Sequence, residues 1–500
     1  MRQLLTERVL LSVLGSAAGL LFARACLLAL ITYLPRQAQT ALDVAPDARV
    51  LGFTLAVSVL TGLLFGLVPA WQATRLDLTA AMKDQTGASA SRSRLTLNKL
   101  LVVAQVALSL FLLIGAGLFV RSLWNLRTLD VGINYENIVQ FSLDTGSGYD
   151  PAKRSELYKR MLARLEAVPG VQSATLLYFS LLSGLSSSLN VTVPGYTPGP
   201  DENMSCKNLE VGPRFFETMK MPILAGRDFS TQDERPPAPQ GSPAATGPKS
   251  LANAPPLYAV INQTMARSFF GNENPVGKRF NQRGTGQPLE IIGVVKDSKY
   301  TTLREQTPRT YYLYYFQQPY RNPMTLQLRT SGGTADYAAA IQRIAHELDP
   351  QAQVVDIQTM RDVVNQSLVQ ERFIAQTASA FSLFALLLAC VGLYGVTSYA
   401  VARRTNEIGI RMALGATVRD VMQLVMREVL LLVVLGVGIG LTAALATTRL
   451  VSTLLFGLTP TDPLTLTVAT LLMIGVAALA GYLPARRAAG VDPMIALHHE

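Results

Sequence analysis

The sequence predicts an α-helical membrane protein with about six transmembrane helices and one large α+β domain of two subdomains outside the bilayer. Three observations lead to that reading. Of 500 residues, 49% are apolar and only 16% charged, with a mean hydropathy of +0.27; a soluble protein carries about a quarter charged residues. The apolar excess is gathered into six runs, residues 9–34, 50–70, 100–120, 373–401, 421–445 and 464–483. Each is near or above the ~20 residues that cross a bilayer as helix. Between the third and fourth runs, the block from Asn125 to Arg372 has ordinary globular composition.

Lys and Arg near the span ends set the orientation. Arg2 and Arg8 precede the first run, and Arg75, Lys83, Arg92, Arg94 and Lys99 lie between the second and third. Arg403, Arg404, Arg411 and Arg419 lie between the fourth and fifth, and Arg486 and Arg487 follow the sixth. All these segments face the cytoplasm, with both termini inside and the large domain outside. Arg121 and Arg127 run against the rule, and the outer loop 451–463 carries one charge, Asp462. The net charge of +10 is then a basic inner rim beside anionic membrane lipid, and no nucleic-acid partner is needed. The first run is too long for a secretory leader and lacks a small-residue cleavage site.

The chain also repeats itself at a separation of about 415 residues. "QLLTERVLLSVLGSAAGLL" from Gln3 matches "QLVMREVLLLVVLGVGIGL" from Gln423, and "GLVPAWQATRLDLTAAM" from Gly66 matches "GYLPARRAAGVDPMIAL" from Gly481. The first two spans are a second copy of the last two, without the span and outer domain that precede them. Residue 1 is therefore expected to fall inside a larger repeat, with the sequence a portion of a longer protein. Residues 84–98, small, polar and basic, read as a flexible cytoplasmic linker. Residues 234–256, rich in Pro and Ala, read as a disordered outer loop.

Inside the outer block, "AKRSELYKRMLARLEAVPG" places Leu157, Met161, Leu162 and Leu165 on one helical face and stops at Pro169-Gly170. "LEIIGVV" and "MTLQLRT" read as strands, and residues 335–348 as a second amphipathic helix. Three cysteines, Cys26 and Cys390 in spans and Cys206 in the outer block, give no disulfide framework.

Nothing here carries catalysis or holds a cofactor or metal. "GNENPVGKR" fails as a phosphate loop, since the Gly271–Gly277 spacing is wrong and Arg279 stands where Ser or Thr would hold magnesium. "LLSGLSS" resembles an ATPase signature in composition alone, and His346, His498 and His499 have no metal-ligand companions. Arg24 is the ionisable residue well inside a span, read as snorkelling to the headgroups rather than lining a polar path. A proton-driven carrier needs buried carboxylates and a channel needs a polar lining. These spans offer chiefly Gly, Ala, Ser and Thr, which suit close helix packing.

One half-polar segment remains, "RRTNEIGIRMALGAT", residues 403–417. Ile408, Met412 and Ala413 share one helical side while Asn406, Glu407 and Arg411 stay polar. Gly415 stops the helix, and Thr417 caps the next one with Asp420 three residues on. The segment reads as a short surface helix at the inner face. By its residues alone it either lies on lipid or docks onto a cytoplasmic partner.

"YAVARRTNEIGIRMALGATVRDVMQLVMREVLLL", "LLFGLTPTDPLTL" and "GYLPARRAAGVDPMIAL" together resemble the FtsX-like permease domain of ABC transporters. "VVAQVALSLFLLIGAGLFVRSL", "VGPRFFETMKMPILAGRDFS" and "VINQTMARSFFGNENPVGKRF" resemble the MacB-like periplasmic core domain. The layout is similar to the C-terminal portion of the duplicated permeases found in acidobacteria. The resemblance divides the chain into an incomplete first FtsX-like repeat (1–83), the cytoplasmic linker (84–98), the first span of the second repeat (99–123), the periplasmic core (124–372) and the FtsX-like permease domain (373–500). It implies a type VII ABC permease of the bacterial inner membrane, a mechanotransmitter with no enzyme activity of its own. A separate cytoplasmic ABC ATPase subunit would drive periplasmic movements that export or extract a hydrophobic compound, peptide or lipoprotein. An adaptor or outer-membrane channel and a dimeric or pseudo-dimeric assembly are implied as partners. Arg403, Arg404, Glu407, Gly409, Arg411 and Gly415 are the implied coupling residues. The alternative within the resemblance is a signalling scaffold that activates periplasmic hydrolases.

Overall fold

The computed structural model describes residues 10, 14–21, 24–25, 48–49, 51–60, 89–146, 149–235, 255–283, 287–318, 323–332, 334–451, 454–459 and 461–489. They fall into a membrane unit, Met1–Ser122 with Glu371–Glu500, and an outer unit, Leu123–Gln370. The first long element is helix α1 (Ser89–Arg127). It corrects one expectation. Residues 89–98 of the flexible linker are helical backbone continuous with the following span. Past Gly87 this stretch holds neither Gly nor Pro, so a helix nucleated by the apolar run extends back through it at little cost per residue.

The outer unit opens with β1 (Ile138–Asp144), α2 (Pro151–Glu166), β2 (Val171–Leu177), β3 (Ser188–Thr192), β4 (Ser205–Val211), α3 (Phe215–Thr218) and β5 (Ile223–Gly226). It continues through β6 (Leu257–Asn262), α4 (Gln263–Phe270), β7 (Arg279–Gln282), β8 (Pro288–Val295) and β9 (Thr310–Tyr314). It closes with β10 (Met324–Thr330), α5 (Thr334–Leu348), β11 (Gln353–Thr359) and α6 (Met360–Ser367). Helix α2 starts where Pro151 follows Asp150, whose side chain accepts from Ala152 N–H at 3.2 Å. It buries the expected Leu157, Met161, Leu162 and Leu165, and the chain leaves at Gly170 with φ +90°.

The strands make two parts, in line with the expected two subdomains. One is the antiparallel set β11-β1-β10-β2, with Phe141 opposite Leu326 and Leu328 opposite Ala174. Its polar interior is paired in part: Gln140 Oε1 accepts from Ser180 Oγ at 2.8 Å and from Gln327 Nε2 at 2.9 Å, while Thr175 Oγ1 and Gln327 Oε1 are buried without a hydrogen bond. Arg329, on β10, donates to Thr218 O at 2.7 Å, Glu136 O at 2.9 Å and Asn134 O at 2.5 Å. In the other part, β4-β3-β7-β8-β6-β9 return to β4 through the parallel β4–β9 pairing, Lys207 to Thr310 through Val211 to Tyr314. Such closure leaves those six strands without a free edge. Their core gathers Val191, Leu257, Ile261, Phe280, Leu289 and Tyr311. One strand pair, Leu177 with Val211, links the two parts. The feet of the Pro-rich loop are clipped where Arg235 donates to Pro255 O at 3.2 Å and to Pro256 O. Residues 236–254 lie outside the described residues.

The membrane unit continues with α7 (Val369–Arg403), α8 (Thr405–Ala413), α9 (Val418–Val451) and α10 (Pro463–Ala489). Among the described residues, α1, α7, α9 and α10 are long and apolar enough to cross a membrane. Their common core includes Val106, Leu110, Ile114, Leu386, Leu393, Val433 and Met473. Close approach comes from glycine: a Cβ at Gly436 would stand 2.6 Å from Val106 Cγ1, and one at Gly440 2.6 Å from Ala107 O. The two earlier expected spans are described only in part, as helical pieces at 14–21 and 51–60, with a Ser16–Ser58 hydroxyl contact between them. The remainder of those two runs lies outside the described residues.

Candidate functional site

The half-polar segment forms the expected short helix. Chain direction changes at Arg404, whose backbone (φ −102°, ψ 13°) breaks the helical path between α7 and α8. Ile408 N–H bonds Arg404 O at 2.8 Å, closing the first turn of α8. At its end Ala416 N–H reaches back to Arg411 O at 2.9 Å and Gly415 N–H to Met412 O at 3.0 Å. This double closure needs a left-handed residue after the helix, and Gly415 supplies it with φ +103°. Thr417 then caps α9: its Oγ1 donates to Asp420 Oδ2 at 2.7 Å while Asp420 N–H points back to Thr417 Oγ1 at 3.4 Å.

Two forces seat α8. Ile408 is 3% exposed and clusters with Val421, Val401 and Met412, while Ala413, expected on the same helical side, is exposed. Gly409 is buried beside it. The second force is ionic. Glu428, on α9, accepts from Arg404 Nη1 at 3.1 Å and pairs through its other oxygen with Lys99 of α1. One carboxylate thereby ties the α7–α8 corner to two spans, and Lys99, Val401, Arg404, Ile408, Val425 and Glu428 line a single cleft.

The six expected coupling residues thus separate into roles. Glu407 and Arg411 face outward, half-exposed, paired with each other at 2.6 Å. Arg403 and Arg404 are both exposed, with Arg404 paired to Glu428; Gly409 and Gly415 serve packing and the turn. Glu428 is absent from the sequence reading, which treats Arg24 as the ionisable residue within the spans and Lys99 only as one cation of the inner rim. Glu428 stands two turns inside the run 421–445, and that position was the available signal. Also outside that reading is an apolar exposure around the corner, Ile410 at 49%, Leu414 at 83% and Val418 at 51%. Among the described residues there is no His, Cys, Asp or Glu group that would hold a metal.

The geometry is therefore a small firmly seated platform with a charged outer face, joined to three spans. Comparison with known proteins places it. Residues 100–371 match the MacB-like periplasmic core domain and residues 379–493 the FtsX-like permease C-terminal domain. The chain is 30% identical over 267 residues to the macrolide export ATP-binding/permease protein MacB of Rhodospirillum rubrum, covering 50% of this chain and 39% of that one. Over 300 residues it is 26% identical to the protein of the same name from Marinobacter nauticus, covering 57% and 42%. The chain therefore spans less than half the length of these curated relatives. The periplasmic region of MacB from Actinobacillus actinomycetemcomitans aligns over 50% of this chain and 97% of its own, at 17% identity and a TM-score of 0.30. With one family model covering more than half of its residues and a second covering its C-terminal spans, the chain belongs to the MacB/FtsX-like family of ABC transporter permeases.

Proposed function

We propose that this chain is the permease subunit of an ABC transporter and works by mechanotransmission. A separate cytoplasmic ATPase docks on α8, and its ATP cycle moves the spans and through them the periplasmic unit. That movement drives export or extraction of a hydrophobic compound, peptide or lipoprotein on the periplasmic side; the relatives named above are called macrolide exporters. The chain sits in the bacterial inner membrane with its termini and α8 on the cytoplasmic side, in a dimeric or pseudo-dimeric assembly, with an adaptor or outer-membrane channel as its partner.

The observation that carries this reading is α8 itself. A nine-residue helix is marginal alone in water, yet this one is seated by Ile408 and Met412, stopped by Gly415 and tied by Arg404 to Glu428. Such a seat transmits force where a helix lying loosely on lipid would not. The spans support it too, because glycine-mediated contacts at Gly436 and Gly440 suit helices that tilt as packed bodies better than a conducting lining.

The test is the Glu407→Ala/Arg411→Ala double variant. The exposed pair stabilises the helix by only ~0.3–0.5 kcal/mol, so insertion and the periplasmic unit should be unchanged. A charged contact stripped from a protein interface costs several-fold more, so capture of the ATPase by the detergent-solubilised chain should be lost. Undiminished capture by the variant removes α8 as the docking element.

A further inference from the structure

We propose that Arg121 and Asp462 are positioning residues that clamp to α10 the outer end of helix α1, the rod through which the coupling reading moves the periplasmic unit. The inference rests on the coupling reading above and adds where the motion leaves the membrane.

An exception to the charge pattern meets the lone charge of the outer loop at this point. Arg121 is a cation on the outer side, and Asp462 is the single charge of the outer loop 451–463. They are partners: Arg121 Nη1 donates to Asp462 Oδ2, and the Asp462 side chain is 10% exposed. The same oxygen accepts from Thr465 N–H at 2.9 Å and Thr465 Oγ1 at 2.6 Å. Asp462 is therefore both the cap of α10 and the acceptor for α1. One residue further along α1, Ser122 Oγ accepts from Phe456 N–H at 2.9 Å. A turn earlier, Gly117 lets α1 approach Thr465, whose Cγ2 lies 2.7 Å from where a Cβ would stand. Three contacts within residues 117–122 thus hold α1 to the α9–α10 loop and to the start of α10.

The inner end of α1 is held as well, by Lys99 on Glu428. From Lys99 to Arg121 is 121 − 99 = 22 residues, or about 33 Å of helix, close to the ~30 Å hydrocarbon thickness. Between those ends Gly436 and Gly440 seat α9 against Val103, Val106 and Ala107. Among the described spans α1 is the most enclosed, with 44% of its apolar window buried against 22% for α7. Because Glu428 also holds Arg404, a displacement of α8 reaches α1 through one carboxylate. α1 then continues as helix to Arg127. Losing either member of the outer pair strands its partner at the membrane boundary, where an unpaired charge is unfavourable, and frees the rod's end.

The full chain is reconstituted in nanodiscs with its ATPase, and two quantities are read: stimulation of ATP hydrolysis, and the ATP-linked change in amide exchange of residues 149–170 in the outer unit. Arg121→Gln removes the cation; Asp462→Asn removes the anion while keeping a good helix cap; Arg121→Lys keeps the charge. Expected is unchanged stimulation in all three, loss of the ATP-linked exchange change in the Gln and Asn variants, and its retention in the Lys variant. A wild-type exchange response in both Gln and Asn variants overturns the clamp and leaves the coupling reading standing. Loss of stimulation together with the response makes the pair merely structural and also overturns the clamp. If the wild-type chain neither stimulates hydrolysis nor responds to ATP, the coupling reading fails and the clamp with it.

Discussion

Replacing Ile408 by Ala tests whether α8 is held by packing. Ile408 is 3% exposed and its cluster is small, with Val421 as its other fully buried member and Val401 and Met412 at its margin. Ile→Ala changes in cores cost roughly 2–5 kcal/mol; a four-residue cluster at a helix corner belongs at the low end, ~2 kcal/mol. At ~1.4 kcal/mol per decade this raises the open fraction of α8 about 30-fold. The Glu407–Arg411 pair cannot compensate, because at half exposure it contributes no more than ~0.5 kcal/mol. Amide exchange by mass spectrometry reads such local opening. Exchange across residues 405–416 should accelerate about 30-fold, while the middle of α9 and the core of α1, packed around Val433 and Leu110, stays unchanged. Glu407→Ala/Arg411→Ala should accelerate the same amides no more than about threefold. The reasoning is refuted if Ile408→Ala leaves α8 exchange within threefold of wild type, or loosens all spans equally.

Gly440→Leu should lower the melting temperature in detergent by an amount equivalent to roughly 1–3 kcal/mol. Its Cβ would meet Ala107 O at 2.6 Å and Ala107 Cα at 3.1 Å, backbone atoms that cannot turn aside. Gly438→Leu, where no atom lies within 4 Å, should melt as wild type does. In the outer unit, burial alone would raise the Asp233 carboxyl, but Arg227, at 2.6 and 2.7 Å, and Ser230 hold it below the usual carboxylate range. A depressed folded value adds stability above the ordinary Asp value of ~3.9 and loses it as pH falls through the folded value. Acid should therefore destabilise the wild-type outer unit more steeply than an Asp233→Asn variant, read as melting temperature against pH below about 5.

How much of this is legible in the sequence depends on how far apart the interacting residues stand. Helix α8 and its corner are legible because several local rules agree: Ile408 and Met412 at helical spacing, Gly415 at the stop, Thr417 and Asp420 three apart. The α2 face and the Pro169-Gly170 exit are local in the same way. The closed circuit of strands is not, because Lys207 pairs with Thr310, more than a hundred positions on, and alternation within a strand does not name its neighbour. Arg121, an exception to the charge rule, and Asp462, the lone charge of the outer loop, read as unrelated for the same reason, being 341 positions apart. The Arg404–Glu428 pair is not legible because hydrophobic periodicity cannot say which cation finds an acceptor on another helix. The linker is read as flexible from its small polar residues, whereas the neighbouring span extends helix back to Ser89.

The central claim is that this permease answers to a cytoplasmic motor. The most direct measurement is the steady-state ATP hydrolysis rate of the partner ATPase, alone and with the full chain in nanodiscs. The account predicts a higher rate with the wild-type chain and the basal rate with Glu407→Ala/Arg411→Ala. An ATPase that turns over equally fast with the wild-type chain, the variant chain and empty nanodiscs would contradict it.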